Sequence, residues 1–189
     1  MTAGKNILNP KLWVKIYADS LFNFASMRIN DKEVAKDLVQ ETFFAALKNL
    51  DTFKGEISEK NWLYTILKNK IIDHYRKKAS SLISQIETSA NENEYFDEGD
   101  HWIQNKVPKE WQIDYNSTLD SNEFLEILRQ CMKRLSELLN MVFSMKYLDE
   151  KETDEICKDL KITTSYYWVI LHRSKLQLRD CIEKKWFIK

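Results

Sequence analysis

The chain has 189 residues, with 29 Lys and Arg set against 29 Asp and Glu, 43% apolar residues, three Gly and two Pro. This much apolar content excludes a chain disordered throughout, and the shortage of turn formers excludes a many-stranded fold, so an all-α chain of long helices is expected. No N-terminal apolar segment resembles a secretion signal and no apolar run approaches the ~20 residues a bilayer requires; the expected location is the cytoplasm, without membrane insertion.

In chain order, Leu12, Trp13, Ile16, Tyr17, Leu21, Phe24 and Ala25 recur at helical spacing behind Pro10, which suits a helix start. Asn30 or Asp31 can cap a second helix carrying Val34, Leu38, Val39, Thr42, Phe43, Ala46 and Leu47. Residues 51–58 form a loop holding Gly55. A third helix is predicted over 60–78, with Trp62, Leu63, Ile66, Leu67, Asn69, Ile71, Ile72 and Tyr75. Residues 80–121 are acidic and lack sustained periodicity, which predicts a linker. Its rings Tyr95, Phe96, Trp102, Trp111 and Tyr115 suit docking on a surface or residual packing against the chain's own domains. From residue 122 onward Phe124, Leu125, Ile127, Leu128, Cys131, Met132 and Leu135 share one stripe, and Leu138, Leu139, Val142, Phe143 and Met145 another.

The neutral total hides a segregation of charge. Residues 60–78 hold six positive side chains and one negative, residues 161–189 seven and two, while residues 80–123 hold ten negatives and two positives. Two basic poles around an acidic middle suit a polyanion partner. The three cysteines, Cys131, Cys157 and Cys181, are odd in number and widely spaced. That pattern predicts small buried thiols in a reducing compartment and offers no metal-ligand spacing. His74, His101 and His172 are scattered, and no phosphate loop or nucleophile setting appears, so neither an enzyme nor a cofactor is expected.

The last quarter carries the functional signal. A short helix from Thr153 to about 160, capped by Thr153, meets a polar turn with Ile162 as its apolar plug. A longer helix capped by Thr163 or Thr164 follows. Ile156, Cys157 and Leu160 would face the core, as would Tyr167, Ile170, Leu171, Ser174 and Leu178. Thr164, Ser165, Trp168, Val169, His172, Arg173 and Lys175 are left to face a partner. Two helices joined this tightly are how proteins set a recognition helix in a major groove. Arg173 suits a guanine edge, His172 or Trp168 bases or sugars, and Lys175 and Arg179 phosphates. The basic helix over 60–78, with its Trp, Tyr and Asn, suits single-stranded nucleic acid, although Trp62 suits a core better.

Taken with Asp37-Leu38-Val39-Gln40-Glu41-Thr42-Phe43, then Phe53-Lys54-Gly55, then Trp62-Leu63 with Asn69, Asp73 and Arg76, the chain resembles the extracytoplasmic-function group of bacterial sigma-70 factors. The C-terminal likeness runs through Glu155-Ile156-Cys157, Leu160, Ile162, Trp168 to Arg173, and Leu178-Arg179. The resemblance implies an alternative sigma factor: sigma domain 2 over 1–79, an acidic linker over 80–121 along the RNA exit path, and sigma domain 4 over 122–189. It implies that Asp37, Gln40 and Glu41 grip the β′ clamp of core RNA polymerase. Lys54, Ser58, Lys68, Asn69, Arg76 and Lys77 would hold the melted −10 element of promoter DNA, and the helix-turn-helix residues would read the −35 duplex. The Cys in Glu155-Ile156-Cys157 and the closing Cys181 to Phe187 resemble a subgroup whose genes often accompany a zinc-containing anti-sigma protein. Three positions depart from the family pattern: Ser136 stands for Pro, Lys161 for Gly, and Arg173-Ser174-Lys175 for Arg-Ala-Arg. A lone helix-turn-helix regulator is the alternative, but it leaves the N-terminal motifs without a role.

Overall fold

Pro10 has a preset φ and no amide proton, so it belongs in a first turn. A 3-10 turn over Pro10–Leu12 runs into α1, Trp13–Ser26. The structure, a computed structural model, describes residues 8–88, 95, 101, 103–104, 107 and 118–186, with side chains for all of these except 80, 82–88 and 118–122. Helix α2, Lys32–Lys48, starts where the Asp31 carboxylate accepts from the amides of Glu33 (2.8 Å) and Val34 (3.4 Å). A second 3-10 turn, Leu50–Thr52, leads through a loop with Gly55 at φ 74° into α3, Glu59–Thr88. That helix continues well past residue 78 because Ala79, Leu82, Ile83 and Ile86 keep the apolar helical spacing, so residues 80–88, expected to open an aperiodic linker, are helical instead. Helices α4 (Thr118–Met132), α5 (Glu137–Tyr147), α6 (Thr153–Leu160) and α7 (Thr164–Trp186) complete an all-α fold with no strand among the described residues.

The chain divides into two compact units, Met1–Lys78 and Ala79–Lys189. In unit 1 the core is built from Trp13, Leu21 and Ala25 on α1, Ala35, Leu38 and Val39 on α2, and Leu63, Leu67, Ile71 and Tyr75 on α3. Burying these faces drives the three helices together. Tyr75 then locks the turn between α1 and α2, its hydroxyl donating to the Arg28 carbonyl at 2.7 Å. Ile16 and Leu47, expected in the apolar stripes, are exposed instead.

In unit 2, α5 is the central element, with Leu138, Leu139, Met141, Val142 and Met145 all buried. Ser136 precedes it at φ −58°, an angle that a proline would preset. Of the stripe expected from residue 122 onward, Ile127, Cys131 and Met132 on α4 and Leu135 in the turn after it are buried, while Leu125 is exposed. Helix α6 is capped by Glu152, not Thr153: the Glu155 carboxylate reaches back to the Glu152 amide (3.4 Å), and Thr153 becomes the first helical residue. Lys161 ends α6 in the left-handed region (φ 56°, ψ 42°), with its amide and that of Ile162 both donating to the Cys157 carbonyl. A β-carbon at that angle is strained, by roughly 1–2 kcal/mol, of which glycine's greater chain entropy would cancel part. Lys161→Gly is therefore expected to stabilise unit 2 by about 1 kcal/mol, read as a rise of several degrees in its Tm. An unchanged or lower Tm would count against strain at this turn.

The cysteine expectation needs correcting. Cys131 and Cys181 are disulfide-bonded, with Cα atoms 5.8 Å apart, and only Cys157 is free and half-exposed. Spacing along the chain hid the pairing because the antiparallel course of α4 and α7 brings together residues 50 positions apart. Of the linker rings, Tyr95 is buried and its carbonyl accepts from the Ile103 amide. The expected docking of Phe96, Trp102, Trp111 and Tyr115 lies outside the described residues.

Candidate nucleic-acid interface

In unit 1 the loop over 53–58 is held by ring packing. Trp62 on α3 lies against Phe53 of the loop (centroids 5.1 Å) and against Trp13 of α1 (6.1 Å). Trp62 is thus a half-buried strut, and the loop it supports presents Lys54 and Ser58 to solvent. Ser58 also starts α3, its Oγ accepting from the Asn61 amide at 3.2 Å. From there Asn61, Thr65, Asn69 and Arg76 recur at helical spacing as one exposed strip, flanked by the exposed Lys68 and Lys77. From Ser58 to Arg76 the set extends along roughly 27 Å of helix at 1.5 Å per residue. Such a set suits an extended strand more than a compact ligand.

Two features here escaped the sequence reading. One is a cation–aromatic row. Arg28 stacks over Phe24 at 3.5 Å, Phe24 meets Tyr64 edge-on at 5.1 Å, and Lys68 and Lys60 lie 5.9 and 5.8 Å from Phe24 and Tyr64. The row places Lys68 from α1. The other is Glu59. Its carboxylate accepts from the Asn9 amide (2.6 Å), the Trp13 indole (2.5 Å) and the Tyr17 hydroxyl (3.1 Å), fastening the start of α3 to α1. Burial raises the Tyr17 pKa above its ordinary 10.0, and the hydrogen bond to Glu59 and its charge push the same way. Neither could be read from spacing, because the partners are 42 to 50 positions apart.

Asp37, Gln40 and Glu41 are all exposed on α2. Glu41 is tied to α3 by Lys70 (3.0 Å). Gln40 lines a groove of about 370 Å³ between α1 and α2, with Val14, Phe22, Val39 and Phe43 among its walls. Phe44 (60% exposed) and Leu47 (48%) continue the same face, and the Lys48 ammonium lies over the Phe44 ring at 4.4 Å. Residues 37, 40, 44 and 47 repeat with helical period, the one signal that could have exposed this stripe. A face that mixes carboxylates, an amide and bare apolar groups suits a protein partner better than a phosphate backbone.

In unit 2 the helix-turn-helix has a sharp division of faces. Tyr167, Ile170, Leu171, Ser174 and Leu178 of α7 are buried, as expected. Thr163 caps α7, its Oγ1 accepting from the Tyr166 amide at 3.2 Å. Thr164, Ser165, Trp168, His172 and Lys175 are exposed, with Trp168 at 54%, and Val169 and Arg173 are half-buried between them. These seven residues share one side of the first half of α7. Ile156 and Leu160 of α6 are buried, whereas Cys157 and Ile162 are half-exposed. The departure at Ser174 has a structural use: its hydroxyl is directed at the carbonyls of Ile170 (2.7 Å) and Leu139 (3.2 Å), joining α7 to α5. Lys175, where the family pattern has Arg, stands over the Tyr147 ring at 5.5 Å. Tyr147, itself exposed, thereby positions a cation on the edge of the exposed side of α7. Arg179, expected as a phosphate contact, faces Glu183 at 3.7 Å and is largely covered.

Among the described residues no cluster of His, Cys, Asp and Glu could hold a metal, and no helix is long and apolar enough to cross a membrane.

Comparison with known proteins follows these divisions. The family model for sigma-70 region 2 matches residues 13–81, and that for sigma-70 region 4 matches residues 125–178. A protein of Haemophilus influenzae described as a probable RNA polymerase sigma factor is 37% identical over 166 residues, covering 87% of this chain and 85% of that one. The Bacillus subtilis RNA polymerase sigma factor YlaC is 28% identical, covering 89% and 88%. The ECF RNA polymerase sigma factor SigW of the same organism is 25% identical, covering 88% and 84%.

Proposed function

The chain belongs to the extracytoplasmic-function group of the sigma-70 family, the sigma factors of transcription initiation, and on that premise we propose that it binds core RNA polymerase and directs it to a particular class of promoters. Unit 2 reads the −35 duplex with the exposed side of α7, from Thr164 to Lys175. Unit 1 holds the melted −10 strand along Lys54, Ser58, Lys68, Asn69, Arg76 and Lys77. Extrusion of a base costs a few kcal/mol, and the cationic strip of α3 with its loop supplies contacts that offset it. Asp37, Gln40 and Glu41, extended by Phe44 and Leu47, form the face for the β′ clamp. Sigma domain 2 over 1–79, the linker over 80–121 and sigma domain 4 over 122–189 are assigned on the same basis, with the acidic linker set against the basic RNA exit path. The chain lends specificity to a catalytic partner, catalyses nothing itself, and acts where the polymerase does, in the cytoplasm.

The observation that carries this reading is the coexistence of two faces. One is a helix-turn-helix with a polar and aromatic recognition side; the other is a separate unit with a protein-facing stripe and a cationic strip. A lone helix-turn-helix regulator has no use for the second. Mixed with core polymerase, the chain is expected to comigrate with it and to support run-off transcription from a subset of a promoter library. Tight binding to duplex DNA without comigration would overturn the sigma reading in favour of the lone regulator. We also infer an anti-sigma partner, of the zinc-containing kind that its subgroup implies. A pull-down from uninduced cells that returned polymerase alone would overturn that part.

A further inference from the structure

We propose that Cys131 and Cys181 form a reversible thiol–disulfide site, closed by small-molecule disulfides and opened by small dithiols, that braces the recognition helix α7 against α4. The pair joins the two helices at a Cα separation of 5.8 Å, within the range a disulfide spans without backbone movement. The helices are also held together on their own. Phe124 meets Trp186 edge-on at 5.7 Å, Lys185 donates to the Gln130 side chain, and Ile127, Met132, Leu178 and Ile182 are buried. The two sulfurs therefore stay apposed after reduction, which is what lets the bond re-form. In the cytoplasm, where the proposed function places the chain, thiols are kept reduced and disulfides are typically transient and redox-sensing.

The two cysteines differ in access. Cys131 is 1% exposed, while Cys181 is partly open to solvent. Oxidation thus begins at Cys181. Its thiolate attacks one sulfur of a small disulfide R–S–S–R, and the first R–S⁻ leaves. The Cys131 thiolate then attacks the Cys181 sulfur and displaces the second R–S⁻. The two protons lost by the cysteines end on two molecules of R–SH. Two electrons pass from the cysteine pair to R–S–S–R. Closing the bond restricts a loop of 50 positions in the unfolded chain and pins the same rigid helix that carries Trp168 to Lys175. The cytoplasmic setting and any consequence for −35 reading rest on the proposed function; the apposition of the two sulfurs does not.

The test uses the full chain, reduced with dithiothreitol or oxidised with glutathione disulfide, then unfolded and alkylated with iodoacetamide. One adduct is expected on the oxidised chain, at Cys157, and three on the reduced chain, with return to one after reoxidation. Three adducts after glutathione disulfide would overturn the proposal. In parallel, reduction should lower the Tm of unit 2 by about 10 °C or more, and should leave the Cys131→Ala/Cys181→Ala variant unmoved. An unresponsive native chain, or a variant that responds equally, would overturn the brace. A chain showing both redox responses yet binding no −35 duplex in either state would sustain the site and overturn the promoter reading.

Discussion

Replacing Trp13 by alanine is expected to destabilise unit 1 by about 4 kcal/mol, the cost typical of deleting a buried Trp ring. Trp13 is 1% exposed, and three things converge on it. Its ring carries Trp62, which carries Phe53 and hence the loop with Lys54 and Ser58. Its indole donates to Glu59, the acceptor that fastens the first turn of α3 to α1. Its position at the start of α1 closes the end of the three-helix core. Loss of the ring leaves a cavity beside a carboxylate that keeps only the Asn9 and Tyr17 donors. For a unit of this size such a loss corresponds to a fall in Tm of roughly 15–30 °C. Calorimetry of the full chain should show the unit 1 transition moving and that of unit 2 staying. Trp13→Phe retains most of the packing without the donor and should fall in between. A loss below about 1 kcal/mol in Trp13→Ala would remove Trp13 from its place as the anchor of the loop and of α3.

The contrast between α7 and α2 shows what a sequence discloses about such a molecule. On α7 the buried residues Tyr167, Ile170, Leu171, Ser174 and Leu178 repeat with helical period, and the opposite side is polar and aromatic. One rule, burial of the periodic stripe, therefore separates core from candidate recognition face. On α2 the same rule misleads, because Phe44 and Leu47 are apolar yet exposed. A stripe meant for a partner protein obeys the same chemistry as a stripe meant for the core. Only the placement of α1 and α3 decides which is which. The Glu59 hub and the Cys131–Cys181 bond depend on pairs 42 to 50 positions apart, set by how helices are stacked rather than by any local pattern. Lys161 is the opposite case. Local preference argues against its left-handed angle, and the turn adopts it because the packing of α6 and α7 overrides a strain of roughly 1–2 kcal/mol.

Arg173→Ala is expected to weaken binding to the −35 duplex by about 1–3 kcal/mol, or roughly 5- to 150-fold, with most of the loss confined to sequences carrying one particular base pair. Arg173 is half-buried on the proposed recognition side, between the exposed His172 and the buried Ser174. Ser174 is hydrogen-bonded toward Leu139, so the backbone that carries Arg173 is fixed on α5 rather than free to shift. A planar guanidinium held in that way presents two parallel donors in a defined direction, which suits a guanine edge. Lys175 is the internal comparison. It is exposed, it is a compact charge, and the Tyr147 ring sets its position at the margin of the face. Lys175→Ala should weaken all duplexes alike and reduce the slope of log affinity against log salt by about one, as loss of one phosphate contact does. Binding titrations of both variants against a panel of single-base-pair changes, at two salt concentrations, separate the two roles. If Arg173→Ala lost affinity uniformly and flattened the salt slope, it too would be a phosphate contact, and base reading would fall to Trp168, Val169 and His172. If neither variant changed affinity, the exposed side of α7 would not be the face that meets DNA.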